Sequence, residues 1–342
     1  MPSAAPLSTA PLLSVQDLKV HFHLGGGSFS RHKAGVVKAV DGVSFDLRPG
    51  ETLGLVGESG CGKTTLGRAV LRLLPNIDGR VVWLGEDLAK LEPEAMRLKR
   101  REMQIVFQDP LAALDPRMTV GEIIGEPLRT FQPQLSNAEA KAKVQAMMAR
   151  VGLLPRQVNR YPHEFSGGQC QRIGIARAMI NHPKLVVCDE PVSALDVSIQ
   201  AQIVNLLMDL QQEFGMSMIF ISHNLSVVRH ISHRIMVLYL GRVAELAGRD
   251  QLYRQPRHPY TQALISAVPI PDPDLERQKQ RIVLTGDIPS PLNPPSGCAF
   301  RTRCPKATEI CARVMPDLLP IEFGHQVACH HWDEPFVATA AG

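Results

Sequence analysis

Long apolar runs, abundant cysteine and clustered basic charge are all missing from this chain of 342 residues. No stretch approaches the roughly 18 uninterrupted apolar residues of a membrane-spanning helix, and no basic segment followed by an apolar one opens the sequence, so we expect a cytoplasmic protein. Its 37 Lys and Arg residues are spread along the chain and leave a formal net charge of only +4. We therefore expect no nucleic-acid partner.

Cysteine is too scarce and too unevenly spaced for a disulfide scaffold, since the chain has only seven. A reducing compartment would keep these residues as thiols or metal ligands. Hydrophobic residues make up 44% of the chain and charged residues 20%, which excludes a disordered tail, a collagen and a coiled coil. The length predicts about two folded domains, preceded by a loose leader at residues 1–11.

Short apolar runs alternate with helical patterns and predict an α/β fold. Residues 52–57, 184–191 and 217–223 have the character of buried strands, and a helical pattern separates the last two. This alternation predicts a doubly wound, mainly parallel sheet. The run RIMVLYLGRVAEL predicts a closing hairpin. The pattern over about residues 12–47 predicts two strands joined by a long loop.

Two further segments differ from this core. Residues of about 115–180 show helical periodicity with expected breaks at Pro127, Pro133, Pro155 and Pro162, which predicts an inserted helical subdomain. After residue 248 the composition becomes rich in proline and cysteine, which predicts a separate C-terminal module over 249–342.

A glycine-rich loop follows the first buried strand and precedes a helix. It fits the pattern G-x-x-x-x-G-K-[ST], whose backbone N–H groups and lysine hold the phosphates of a nucleoside triphosphate while the hydroxyl ligates Mg²⁺. We expect Cys61 to fill a small space rather than to react. The predicted nucleotide-binding residues of this loop are Gly57, Ser59, Gly60, Cys61, Gly62, Lys63, Thr64 and Thr65.

Two carboxylates end the second buried strand, where open α/β sheets place their chemistry. Asp189 is predicted to hold Mg²⁺, and Glu190 to accept a proton from the water that attacks the γ-phosphate. His223 ends the third strand and is predicted to contact the γ-phosphate. The plainer alternatives are an acidic pair that caps a loop and a histidine that serves only the fold.

The segment Phe165-Ser166-Gly167-Gly168-Gln169 resembles the signature motif of ABC transporter ATPases, although that motif usually begins with leucine. With the phosphate loop, Gln108, the Asp189-Glu190 pair, Asp196 and His223 in family order, the resemblance covers about residues 12–248. It implies a P-loop NTPase (RecA-like) ABC nucleotide-binding domain with an inserted helical subdomain and an antiparallel β subdomain.

The resemblance also implies roles for single residues. Phe22 would stack on adenine, Gln108 would link Mg²⁺ and the attacking water to the helical subdomain, and Asp196 would belong to the D-loop. Residues 166–169 would close over the ATP of an opposing subunit. From the residues alone, Ser166 is suited to cap the helix that begins there, and the two glycines let a phosphate approach its N–H groups.

The stretches RHPYTQAL (257–264) and PSPLNPPSGCAF (289–300) resemble the ATPases of dipeptide and oligopeptide importers. This implies a second homologous ATPase subunit in a heterodimer, two permease subunits and an extracytoplasmic peptide-binding protein. The chain would lie on the cytoplasmic face of the inner membrane and meet the membrane only through the permeases. The alternatives are the same motor serving nickel or another small solute, and a soluble ABC ATPase, which usually has two tandem cassettes or a coiled-coil insertion.

Four of the cysteines are clustered near the C-terminus, at Cys298, Cys304, Cys311 and Cys329. Their spacings are wider than the C-x2-4-C pairs of structural zinc sites. A [4Fe-4S] cluster is predicted because Cys304 precedes a proline, as in ferredoxins, and because importers of the resembling branch carry such a cluster. Zn²⁺ and unligated thiols are the alternatives.

Overall fold

The computed structural model describes residues 10–25, 35–269 and 272–334, so residues 1–9 of the predicted leader lie outside it. Within these ranges the strands are β1 (Leu13–Leu24), β2 (Gly35–Leu47), β3 (Thr52–Val56), β4 (Ile77–Trp83), β5 (Glu86–Asp87), β6 (Met103–Val106), β7 (Leu185–Asp189), β8 (Ser217–Ile221), β9 (Arg234–Tyr239), β10 (Arg242–Gly248), β11 (Leu319–Glu322) and β12 (His325–Val327). The helices are α1 (Lys63–Val70), α2 (Pro93–Lys99), α3 (Val120–Phe131), α4 (Asn137–Arg150), α5 (Gly167–Met179), α6 (Val197–Phe214), α7 (Leu225–Ile231), α8 (Arg249–Arg254), α9 (Pro259–Ser266), α10 (Pro273–Gln278) and α11 (Glu309–Arg313). None of these described helices has the length and apolarity to cross a membrane.

The chain divides into two compact units. The first contains residues 10–14, Asp46–Thr52 and Val81–Ser222. The second contains the described residues of Val15–Phe45 and Leu53–Arg80, together with residues 223–334.

Three parallel strands form the sheet of the first unit, in the order β6-β7-β8. Val187 of β7 pairs with Ile105 on one side and with Ile219 on the other. All residues of β7 and β8 are buried, and apart from Asp189 and Ser217 at their ends they are apolar without alternation. The carboxyl end of β7 presents Asp189, and the parallel strands predicted at 184–191 and 217–223 are confirmed.

Helices α3, α4 and α5 also belong to the first unit, and each begins with a capping box. Their N-caps are Thr119, Ser136 and Ser166, which satisfy backbone N–H groups of the first turn. The break expected at Pro127 is wrong, because this proline lies inside α3. A proline removes one backbone hydrogen bond of the helix, and burial of the apolar face of α3 offsets that loss.

The second unit contains a parallel pair, β3 and β9, followed by an antiparallel hairpin of β9 and β10. Leu55 of β3 pairs with Met236 of β9. Leu240 and Gly241 form the hairpin turn with φ of 44° and 77°, which suits the twist of the flanking strands. The hairpin predicted from the sequence is confirmed.

The C-terminal residues continue this sheet, since β12 pairs antiparallel with β10 and β11 pairs with β12. Glu245 of β10 is fully buried and accepts hydrogen bonds from the N–H groups of Arg257 and His258 at 2.8 and 2.9 Å. Its carboxylate also lies 2.7 Å from Nε2 of His325 in β12. Residues on both sides of position 248 therefore share one unit, and the boundary predicted there stays a prediction.

Candidate functional site

The predicted phosphate loop connects β3 to α1, as the pattern requires. Gly57, Gly60 and Gly62 have φ of 150°, 79° and 102°, a region that side chains rarely adopt. A Cβ on Gly62 would lie 2.0 Å from the carbonyl oxygen of Ala39, and one on Gly57 would lie 2.3 Å from that of Leu238. The chain therefore passes through a space that only glycine fits.

Lys63 begins α1, and its ammonium folds back into the loop. Its Nζ donates hydrogen bonds to the carbonyl oxygens of Gly57 at 2.8 Å and Glu58 at 3.0 Å. Thr64 and Thr65 follow in the first turn of the helix, whose N-terminus carries partial positive charge. Backbone N–H groups, the helix end and a lysine are the donor set that binds a polyphosphate.

Cys61 lies inside the same loop and is only 4% exposed. Burial raises the pKa of its thiol, which disfavours the reactive thiolate. Cys61 therefore fills space inside the loop.

Asp189 and Glu190 lie at the end of β7. Asp189 is 2% exposed, and Glu190 has a φ of 46°, which is uncommon for a residue other than glycine. The N–H of Glu190 donates to the carbonyl of Ile221 at 3.0 Å, and its own carbonyl accepts from the Ser193 hydroxyl at 3.1 Å. These backbone contacts fix the direction in which the carboxylate leaves the strand.

Gln108 follows β6 in the same unit. Its side-chain Nε2 donates to Oε2 of Glu190 at 3.1 Å. The structure thus brings together two of the three residues predicted to be catalytic, although 82 positions separate them in the sequence.

The signature segment forms the N-terminus of α5. The Ser166 hydroxyl accepts from the N–H of Gln169, and Oε1 of Gln169 accepts from the N–H of Ser166, so the predicted cap is confirmed. A Cβ on Gly168 would lie 2.7 Å from a methyl group of Ile199 in α6, whereas Ser166 and Gly167 are exposed. An anion can approach this helix end from solvent.

The remaining predicted residues occupy element ends and edges. Asp196 is exposed at the start of α6, beside Val197, which is 82% exposed. His223 is exposed two residues after β8, and Phe22 is 40% exposed on β1. The first unit holds Gln108, the signature residues, Asp189, Glu190 and Asp196; the second holds Phe22, the phosphate loop and His223.

The four C-terminal cysteines are free thiols. Burial, with a smaller contribution from the neighbouring thiols, raises the pKa of Cys329 to about 12 and that of Cys304 to about 11. All four cysteines lie in the described part of the chain. Among the described residues, no three His, Cys, Asp or Glu side chains are arranged to hold a metal ion. The placement of these side chains therefore gives the predicted cluster no support.

Two residues that contact the phosphate loop were not predicted from the sequence to do so. The Tyr260 hydroxyl lies 2.9 Å from the N–H of Glu58, and the Arg303 guanidinium binds the Glu58 carboxylate at 2.6 and 2.9 Å. The sequence carries no signal for these contacts. Glu58 occupies a variable position of the loop pattern, and its partners lie 202 and 245 residues away in the sequence.

Comparisons with known proteins identify relatives of the chain. The model of the family "ABC transporter" matches residues 40–193, and that of "Oligopeptide/dipeptide transporter, C-terminal region" matches residues 244–311. The chain is 59% identical to the oligopeptide transport ATP-binding protein OppF of Escherichia coli, over 93% of this chain and 95% of that protein. It is 53% identical to AppF of Bacillus subtilis, over 93% and 97% of the two chains.

A solved structure also resembles the chain. The ATP-binding cassette MJ0796, bound to ADP and phosphate in a dimeric post-hydrolysis state, is 26% identical with a TM-score of 0.62. The match covers 69% of this chain and 98% of the cassette. The chain therefore belongs to the ABC transporter family, among the ATP-binding proteins that carry the oligopeptide/dipeptide transporter C-terminal region.

Proposed function

We propose that this ABC ATPase energises the uptake of dipeptides and oligopeptides through separate permease subunits. Peptides are proposed as the cargo because residues 244–311 match the C-terminal region of oligopeptide and dipeptide transporters. The relatives of the chain are also named for oligopeptide transport. Uptake of nickel or another small solute by the same motor is the second candidate, and the test below separates the two.

For the chemistry, we propose that Lys63 binds the β- and γ-phosphates and that Glu190 takes the proton of the attacking water. The contact of Gln108 with Glu190 supports this role, because it holds the carboxylate in one orientation. His223 would contact the γ-phosphate, and Phe22 would stack on adenine.

Mg²⁺ would be held by side-chain oxygens of Thr64, Gln108 and Asp189. Hydroxyl, amide and carboxylate oxygens are the hard ligands that this ion prefers, so the donor set fits. When bound, Mg²⁺ neutralises charge that develops on the phosphate oxygens.

We further propose that Ser166, Gly167, Gly168 and Gln169 bind the ATP of an opposing, homologous subunit in a heterodimer. The exposed helix end of α5 supports this, since its N–H groups and dipole favour a phosphate. ATP binding would close the pair and hydrolysis would reopen it. The pair would dock on two permease subunits at the cytoplasmic face of the inner membrane and receive cargo from an extracytoplasmic binding protein.

The identity of the cargo is tested by measuring ATP hydrolysis by the whole membrane complex. The complex is purified by an affinity tag on this subunit, and its binding protein is added. Short peptides are expected to stimulate turnover, because cargo delivery favours the closed, hydrolysing state. Nickel chelates at the same concentration are the comparison. Stimulation by a chelate alone would discard the peptide assignment and keep the motor.

The [4Fe-4S] cluster stays a proposal for Cys298, Cys304, Cys311 and Cys329, with Zn²⁺ as its alternative. Its support is the spacing of the four cysteines and the proline that follows Cys304. Protein purified without oxygen is expected to contain about four irons per chain and to absorb broadly near ~400 nm. One equivalent of zinc would favour the alternative, and metal-free, fully active protein would contradict both.

A further inference from the structure

The phosphate loop has a direct contact with the C-terminal segment of the second unit. Tyr260 lies in the first turn of α9, and its side chain is fully buried. Its hydroxyl accepts a hydrogen bond from the N–H of Glu58 at 2.9 Å. A residue outside the loop pattern thus fixes one of the loop's peptide groups.

That peptide group also carries the acceptor of the loop lysine. In a planar trans peptide the C=O and the N–H point in opposite directions. The N–H of Glu58 points at Tyr260, and the C=O of Gly57, in the same peptide, accepts from Nζ of Lys63 at 2.8 Å. Any rotation of this plane away from Tyr260 therefore moves the carbonyl that positions the Lys63 ammonium.

The position of Tyr260 is itself fixed by buried polar groups. Burial lowers the pKa of His258 to about 4, so its ring is neutral at pH 7 and Nδ1 accepts from the N–H of Tyr260 at 3.0 Å. Glu245 accepts the N–H of His258 at 2.9 Å. The ring of Phe300 packs on Tyr260 with centroids 5.4 Å apart.

Arg303 contacts the side chain of Glu58, the loop residue whose N–H Tyr260 accepts. The guanidinium is 8% exposed and binds both carboxylate oxygens of Glu58, at 2.6 and 2.9 Å. Two parallel bonds of this kind fix orientation as well as distance. They also neutralise a negative charge that would repel a polyphosphate bound by the same loop.

We propose that Tyr260 and Arg303 are positioning residues for ATP binding, which set the Gly57–Glu58 peptide and through it the ammonium of Lys63. This inference rests on the proposed role of Lys63 in binding phosphates. It gives the C-terminal segment a function in the nucleotide site of its own chain.

The first test compares MgATP binding by the full chain and by its Tyr260→Phe and Tyr253→Phe variants. Tyr260→Phe keeps the buried ring and loses only the hydroxyl, so Kd and KM for ATP are expected to rise about fivefold while kcat stays within about twofold. Tyr253→Phe is the matched control, since its half-buried hydroxyl donates to the Leu225 carbonyl instead. It is expected to keep the wild-type Kd.

The second test removes the positive charge of Arg303 and measures the Kd for MgATP. Arg303→Gln leaves the Glu58 carboxylate without its partner beside the phosphate site, and Kd is expected to rise about tenfold or more. Adding Glu58→Gln removes the unpaired charge but does not replace the two lost bonds, so Kd is expected to recover only in part. Full recovery would show that Arg303 acts through charge alone and would overturn its positioning role.

Thermal unfolding of each variant separates positioning from folding. A Tm that falls equally in Tyr260→Phe and Tyr253→Phe, with wild-type Kd in both, would overturn the proposal and leave Tyr260 a packing residue. If Arg303→Gln does not fold, the tyrosine pair alone decides. A wild-type chain that fails to bind MgATP would instead overturn the nucleotide site on which the proposal rests.

Discussion

Glu190→Gln is expected to abolish most ATP turnover while ATP binding persists. Loss of a general base lowers rates by about 10²–10⁴-fold, and that is the fall expected in steady-state hydrolysis. The substitution keeps the size of the side chain, and the Gln108 amide can still donate to its remaining carbonyl oxygen. Nucleotide binding by calorimetry is expected to stay within a few-fold of the wild type, because the phosphate loop is unchanged. Closed dimers that hold ATP are expected to accumulate.

Glu213→Gln is the matched control for this experiment. Glu213 lies on α6 and forms an exposed ion pair with Arg150 at 3.2 Å, a type of contact worth at most about 1 kcal/mol. Its turnover should equal that of the wild type. Undiminished hydrolysis by Glu190→Gln would refute the role of Glu190 as base and direct attention to His223.

Gly62→Ala is expected to remove nucleotide binding almost completely. The new Cβ would lie 2.0 Å from the carbonyl oxygen of Ala39, at a φ of 102° that alanine rarely adopts. The loop must move to relieve this overlap, and the N–H groups that hold phosphate move with it. We expect the affinity for MgATP to fall about a hundredfold or more, as measured by calorimetry.

Gly60→Ala separates steric overlap from backbone strain in the same loop. Gly60 also has a positive φ, of 79°, but a Cβ there meets no atom within 4 Å. Strain alone costs about 1–2 kcal/mol, so its affinity should fall by about five- to thirtyfold. Equal losses in the two variants would show that strain, and not the contact with Ala39, makes glycine necessary at position 62.

The local motifs could be predicted from the sequence because each depends on neighbours along the chain. The phosphate loop needs a strand, glycines, a lysine and a helix start within a dozen residues, and the cap at Ser166 needs only Gln169 three positions later. Pro127 shows the limit of such local rules. Its effect on α3 is decided by burial of that helix, which no local pattern records.

The four cysteines show a second limit. Their spacing suggested a metal site, but spacing does not say whether thiols converge on one point. In the described structure the four form no disulfide and no arrangement that would hold a metal ion.

By itself the sequence determined the strand and helix types, the phosphate loop, the carboxylate pair and the signature helix start, and with them the family. Only the tertiary structure decided which distant groups meet these motifs. It placed Gln108 on Glu190, and Tyr260 and Arg303 on Glu58. The physical reason is that side-chain hydrogen bonds act over about 3 Å in space, whatever the separation along the chain, and only the packed fold brings such partners within that distance.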